Sequence, residues 1–114
     1  MRRDNTFYLR HILDAIDRIE EYLLGVDEAE FYQRYLVQDG VIRQLEIIGE
    51  AVKQLSEELC LSHPNIPWRD ISGMRDKLIH AYFGVNMEAV WLTATMDIPF
   101  LKAEVQNMLG EQNI

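Results

Sequence analysis

The chain has 114 residues, 48% of them hydrophobic, with a formal net charge of −8; this is the content of a single domain over residues 1–114, not of a repeat array or a disordered tail. The excess of 19 acidic over 11 basic residues excludes a surface that coats nucleic acid by bulk electrostatics, so any nucleic-acid role has to be local. The lone Cys60 excludes an internal disulfide framework, and neither a membrane-length apolar run nor a signal-peptide pattern in MRRDNTFYLRHILD is present, so a soluble cytoplasmic protein with no membrane partner is expected.

Asn5 and Thr6 stand as N-cap candidates before Leu9, Ile12, Leu13, Ile16, Ile19 and Leu23, whose steps of three and four predict an amphipathic first helix stopped at Gly25. Its other face carries Asp14, Asp17, Arg18, Glu20 and Glu21, a solvated mixed-charge surface to which we assign no chemistry. Asp27 and Glu30 have capping-box spacing, which predicts a short helix over Val26 to Leu36 that ends before Asp39-Gly40. From there Val41, Leu45, Ile48, Val52, Leu55 and Leu59 alternate steps of four and three and predict one apolar stripe along about 30 Å of helix. Gly49 inside it costs roughly 1 kcal/mol relative to Ala, which points to close approach by a neighbouring helix or a second subunit.

Pro64 and Pro67 make a loop of residues 62–67, and Pro67 suits the first turn of a helix from Trp68 to Phe83, with a bend allowed at Ser72-Gly73 and a stop at Gly84. Asn86 caps the next helix, with Val90, Trp91, Ala94 and Ile98 inward; Pro99 bends or restarts it before Phe100, Leu101, Val105, Met108 and Leu109. With no period-two run, the fold class is all-α, an up-and-down bundle of four to five helices.

Metal-site spacings are absent: no HExxH, no Glu-x-x-His repeated on two helices, and no second pair to complete Cys60-x-x-His63, so no metal and no cofactor are expected. The stretch from Gly73 to Tyr82 instead gathers a guanidinium, a carboxylate, an imidazole and a phenol. Asp76 and His80 fall within about 40° of each other one helical turn apart, so the carboxylate can orient the ring. Arg75 shares a face with Tyr82 but stands about 140° from His80, so the two converge on one ligand through reach, a kink or a second subunit. The plain alternative makes Arg75 an inter-helix ion-pair partner, His80 a hydrogen-bonded packing residue and Tyr82 half-buried.

Arg75, His80 and Tyr82 spell Arg-x4-His-x-Tyr, which resembles the motif of the HepT-like toxins of the HEPN superfamily of small helical ribonucleases. Tyr8-Leu9-Arg10-His11-Ile12-Leu13-Asp14-Ala15-Ile16, Arg43-Gln44-Leu45-Glu46-Ile47-Ile48-Gly49-Glu50-Ala51 and Ile66-Pro67-Trp68-Arg69-Asp70-Ile71-Ser72-Gly73-Met74-Arg75 are similar to that family in order and spacing. The resemblance implies a HEPN-like bundle, a homodimer, a minimal nucleotidyltransferase antitoxin as partner, and metal-independent cleavage of an RNA substrate. Carried onto this sequence, it implies that His80 is the general acid or base, that Arg75 binds the scissile phosphate, and that Tyr82 receives AMP from the antitoxin. Asp76 would orient His80, and Arg69, Arg75 and Lys77 of both subunits would line a small basic cleft. The competing expectation is a non-catalytic HEPN-type substrate-binding or regulatory partner of a nucleotidyltransferase.

Overall fold

The computed structural model describes residues 4–80 and 86–112, and for 75–80 and 112 the backbone alone. Helix α1 spans Asn5–Leu23 and is capped by Asp4, whose carboxylate accepts from the Thr6 N–H at 2.9 Å. The cap thus sits one residue ahead of the predicted Asn5-Thr6, and Asn5 has a tertiary task. Its Nδ2 donates to Ser56 Oγ at 3.0 Å while its Oδ1 accepts from the Ser56 N–H at 2.9 Å. Along α1, Leu9, Ile12, Ile16 and Ile19 are fully buried, each stabilising the fold by roughly 1.5–3 kcal/mol. The chain leaves α1 through Gly25 at φ +73°, a left-handed turn that a side chain would strain.

Helix α2 is the single turn Glu28–Phe31, with Asp27 accepting from the Glu30 N–H at 2.8 Å as the capping spacing predicts. It does not reach Leu36. Helix α3 already begins at Tyr35 and runs to Lys53, enclosing the Asp39-Gly40 pair expected to separate two helices. Two contacts explain the difference. The buried Gln38 donates its Nε2 to the Phe31 carbonyl at 2.9 Å, tying the start of α3 to α2. A Cβ at Gly40 would lie 3.0 Å from the Tyr22 ring, so this glycine lets α3 lie against the end of α1 rather than turning the chain.

All six residues of the predicted stripe, Val41, Leu45, Ile48, Val52, Leu55 and Leu59, are buried, and Gly49 is buried with them. The helix beneath them is nevertheless interrupted after Lys53. Ser56, held in extended backbone by Asn5, caps α4, Glu57–Ser62, by accepting from the Leu59 N–H at 3.2 Å. Helix α5, Trp68–His80, starts directly after Pro67, which lies just ahead of the helix instead of inside its first turn. The Trp68 indole N–H is shared by the Cys60 and His63 carbonyls, each at 3.0 Å, which anchors the beginning of α5 on the end of α4. The predicted extension to Phe83 and the stop at Gly84 lie outside the described residues.

Helix α6, Met87–Leu92, is capped by Asn86 as expected, and passes through a π-helical turn, Thr93–Asp97, into α7, Ile98–Gln112. Pro99 has no N–H to give to the preceding turn and its ring crowds the carbonyl there; the widened turn just before it absorbs both problems without ending the rod. Val90, Ala94, Ile98, Leu101, Val105 and Met108 face the core, whereas Phe100 is left half exposed.

Side-chain contacts give the directions. Asn5 meets Ser56 and Tyr22 meets Gly40, so α1 and α3 are antiparallel. Lys102 Nζ reaches Glu20 at 2.6 Å while Glu111 reaches His63 at 3.3 Å, so α7 runs back along α1 toward the α4–α5 loop. Helix α5 starts at that same end and packs on α3. The result is an all-α up-and-down bundle of four long rods, with no strand among the described residues.

Candidate active site on the fifth helix

Helix α5 carries Arg69, Arg75, Asp76, Lys77 and His80 on one stretch that runs unbroken through Ser72-Gly73, where a bend was allowed. Its buried side is marked by Ile71 and Met74, which pack against the core; Arg69 is exposed. At about 100° per residue, the positions of Arg69, Asp76 and His80 fall within about 40° of one another, across the helix from Ile71 and Met74. Lys77 stands about 60° from His80. The helix therefore groups Arg69 with the Asp76–His80 pair and leaves Arg75 about 140° from His80, with no interruption of the helix to close the gap. Tyr82 lies outside the described residues.

The start of α5 is held by polar contacts from two other elements. Besides the Trp68 indole, His63 Nε2 lies 3.3 Å from the Glu111 carboxylate, joining the end of α7 to the loop that feeds α5. Cys60 beside it is partly buried, and burial pushes its thiol above the ordinary range, the reverse of what a nucleophilic or metal-binding thiolate requires. Among the described residues no three His, Cys, Asp or Glu side chains gather as metal ligands would.

A second feature escaped the sequence reading. The beginning of α1 and the second half of α3 enclose a groove of about 320 Å³, whose lining includes Phe7, Tyr8 and His11 on one side and Arg43, Glu46 and Ile47 on the other. Phe7 and His11 stand four residues apart on α1, and Phe7 is 53% exposed. The available signal was a second stripe on α3, from Arg43 through Glu46 and Ile47 to Gln54, beside the buried one.

The family model described as Ribonuclease HepT-like matches residues 12–108 of the chain. The chain belongs to this family. A HepT-like relative from Thermococcus cleftensis, named "Probable ribonuclease HepT", is 44% identical over 95% of this chain and 98% of its own length. Another, from Caldanaerobacter subterraneus subsp. tengcongensis and named "Putative RNase", is 42% identical over 92% of this chain and 94% of its own. A Methanocaldococcus jannaschii protein named "Gamma-glutamylcyclotransferase and putative RNase" is 44% identical over 97% of this chain, which spans half the length of that relative. No solved structure matches the chain significantly. Among the described residues no helix is long and apolar enough to cross a membrane.

Proposed function

We propose that this HepT-like chain is a metal-independent RNA endonuclease, the toxin of a pair with a minimal nucleotidyltransferase antitoxin, acting in the cytoplasm as a homodimer of single-domain subunits. The reading is supported by the family match over residues 12–108, a span that contains α5, and by ribonuclease-named relatives similar along nearly the whole chain. In the proposed reaction His80 takes the proton of a ribose 2′-hydroxyl or returns one to the leaving oxygen, as general base or acid. Arg75 binds the scissile phosphate as negative charge grows on it, and Asp76 accepts from one ring nitrogen to orient the other. Two copies of α5 bring an Arg75 and a His80 to one phosphate, with Arg69 and Lys77 adding local positive charge to an otherwise acidic molecule.

That acidity favours a second reading, a non-catalytic HEPN-type partner that binds the nucleotidyltransferase or its substrate. Incubating the purified chain with labelled RNA in the presence of EDTA separates the two. Cleavage is expected, and Arg75→Ala and His80→Ala are each expected to slow it about 10²–10⁴-fold with the helical circular-dichroism spectrum unchanged. Cleavage that survives in both variants, or that stops with chelator, defeats the mechanism. Intact wild type that binds the nucleotidyltransferase without cutting RNA establishes the second reading.

A further inference from the structure

The groove between α1 and α3 has the parts of a base-binding pocket. Phe7 stands half exposed at its mouth, with its ring centroid 4.6 Å from that of His11 and 5.1 Å from that of Tyr8. This aromatic group is a platform on which a flat ring can stack, the means by which single-stranded RNA is most often gripped. Ile47 supplies apolar lining. At about 320 Å³ the space is at the small end of ligand sites, the scale of one nucleoside and too small for a protein segment of any length.

The polar edge is selective. Glu46 and Glu50 both line the groove, the Glu46 side chain mostly buried, and the Arg43 guanidinium 3.6 Å from Glu46 offsets one of the two charges. A carboxylate with two acceptor oxygens is matched by adjacent N–H donors, and among the four RNA bases only guanine presents two, N1–H and the N2 amino group, side by side on its Watson–Crick edge. A second copy of the chain is the weaker occupant, because it would have to cover the Arg43–Glu46 pair and remove its water. We propose that this groove is a subsite that takes a guanine of single-stranded RNA. It rests on the ribonuclease reading for its purpose, and α3, which forms one wall of the groove, packs on both α1 and α5.

The test uses the full chain and fluorescein-labelled 2′-O-methyl tetranucleotides, which bind but cannot be cut, read by fluorescence anisotropy. UUGU is expected to bind at least about 10-fold tighter than UUAU or UUUU. Phe7→Ala, which removes a half-exposed ring, is expected to weaken UUGU binding by about 10- to 100-fold. Glu46→Gln is expected to erase the preference for UUGU while leaving UUUU binding as it was. Equal affinity for the three sequences, or unchanged binding in Phe7→Ala, overturns the subsite; so does a Phe7→Ala protein that sediments as monomer where wild type is a dimer, since the groove is then a subunit interface. Cleavage of ordinary RNA by the same preparation keeps the two ideas apart. Cutting without guanine-dependent binding removes the subsite alone, and guanine-dependent binding without cutting upholds the subsite and removes the ribonuclease reading.

Discussion

Tyr32 shows how far one contact can move a single side chain. Its hydroxyl donates to Glu28 at 2.6 Å, and that hydrogen bond, with smaller contributions from desolvation and then from the Glu28 and Glu88 charges, pushes the phenol from 10.0 up to about 12. Because the folded value is raised, the protonated phenol is favoured in the fold; the stabilisation is whole below pH 10 and is lost as pH rises through about 12. Subtracting the 295 nm titration of Tyr32→Phe from that of wild type should leave one transition centred near pH 12, and a midpoint at 10 would refute the contact. Tyr82 carries a different prediction. Incubation with ATP, magnesium and the proposed partner nucleotidyltransferase should raise the mass of the Tyr82 peptide by whole AMP units and extinguish cleavage, because each unit would bring a phosphodiester charge to compete with RNA for the proposed phosphate-binding Arg75. Tyr82→Phe should escape both effects, whereas modification at another residue would remove Tyr82 from the mechanism. The motif that Arg75, His80 and Tyr82 spell is visible in the sequence because its spacing is local. The pairing of Asn5 with Ser56 is not, since the partners are 51 residues apart and only folding brings them together.

At the scale of elements, Ser56 decides where two helices part. Its hydroxyl caps α4 and also accepts from Asn5, so one oxygen both starts a helix and ties it to α1. Ser56→Ala should therefore cost about 1–2 kcal/mol, at the upper part of the range for losing an N-cap, and urea unfolding should show a lower midpoint with an unchanged slope. A loss below a few tenths of a kcal/mol would mean that water replaces both bonds. The periodicity of the chain named the buried residues correctly across this break, because Leu55 and Leu59 stay in the core whether one helix carries them or two. Where the helices end was set by side chains from elsewhere. Asp39-Gly40 reads locally as a turn, yet it lies inside α3 because the Tyr22 ring needs the space that a glycine leaves.

The proposed assembly rests on the geometry of α5 as a whole. An unbroken helix holds the positions of Arg75 and His80 about 140° apart, so the proposed chemistry calls for two copies of α5 facing a shared cleft. Light scattering at micromolar concentration should give a dimer, with an interface of at least ~1,000 Å² about a two-fold axis. A monomer under those conditions, or a dimer structure that leaves the two α5 segments on opposite outer faces, would overturn this arrangement.

Hydrophobic periodicity by itself determined the all-α class, the apolar faces and nearly all of the core, since burial is a property of helix faces that repeats every three or four residues along the chain. Local spacing likewise marked the Asn86 cap. Only the tertiary structure decided the length of α2, the start of α3, the break before α4 and the groove between α1 and α3. Each of these depends on contacts between residues from different elements, which compete with local turn and capping preferences of only about 1 kcal/mol and prevail.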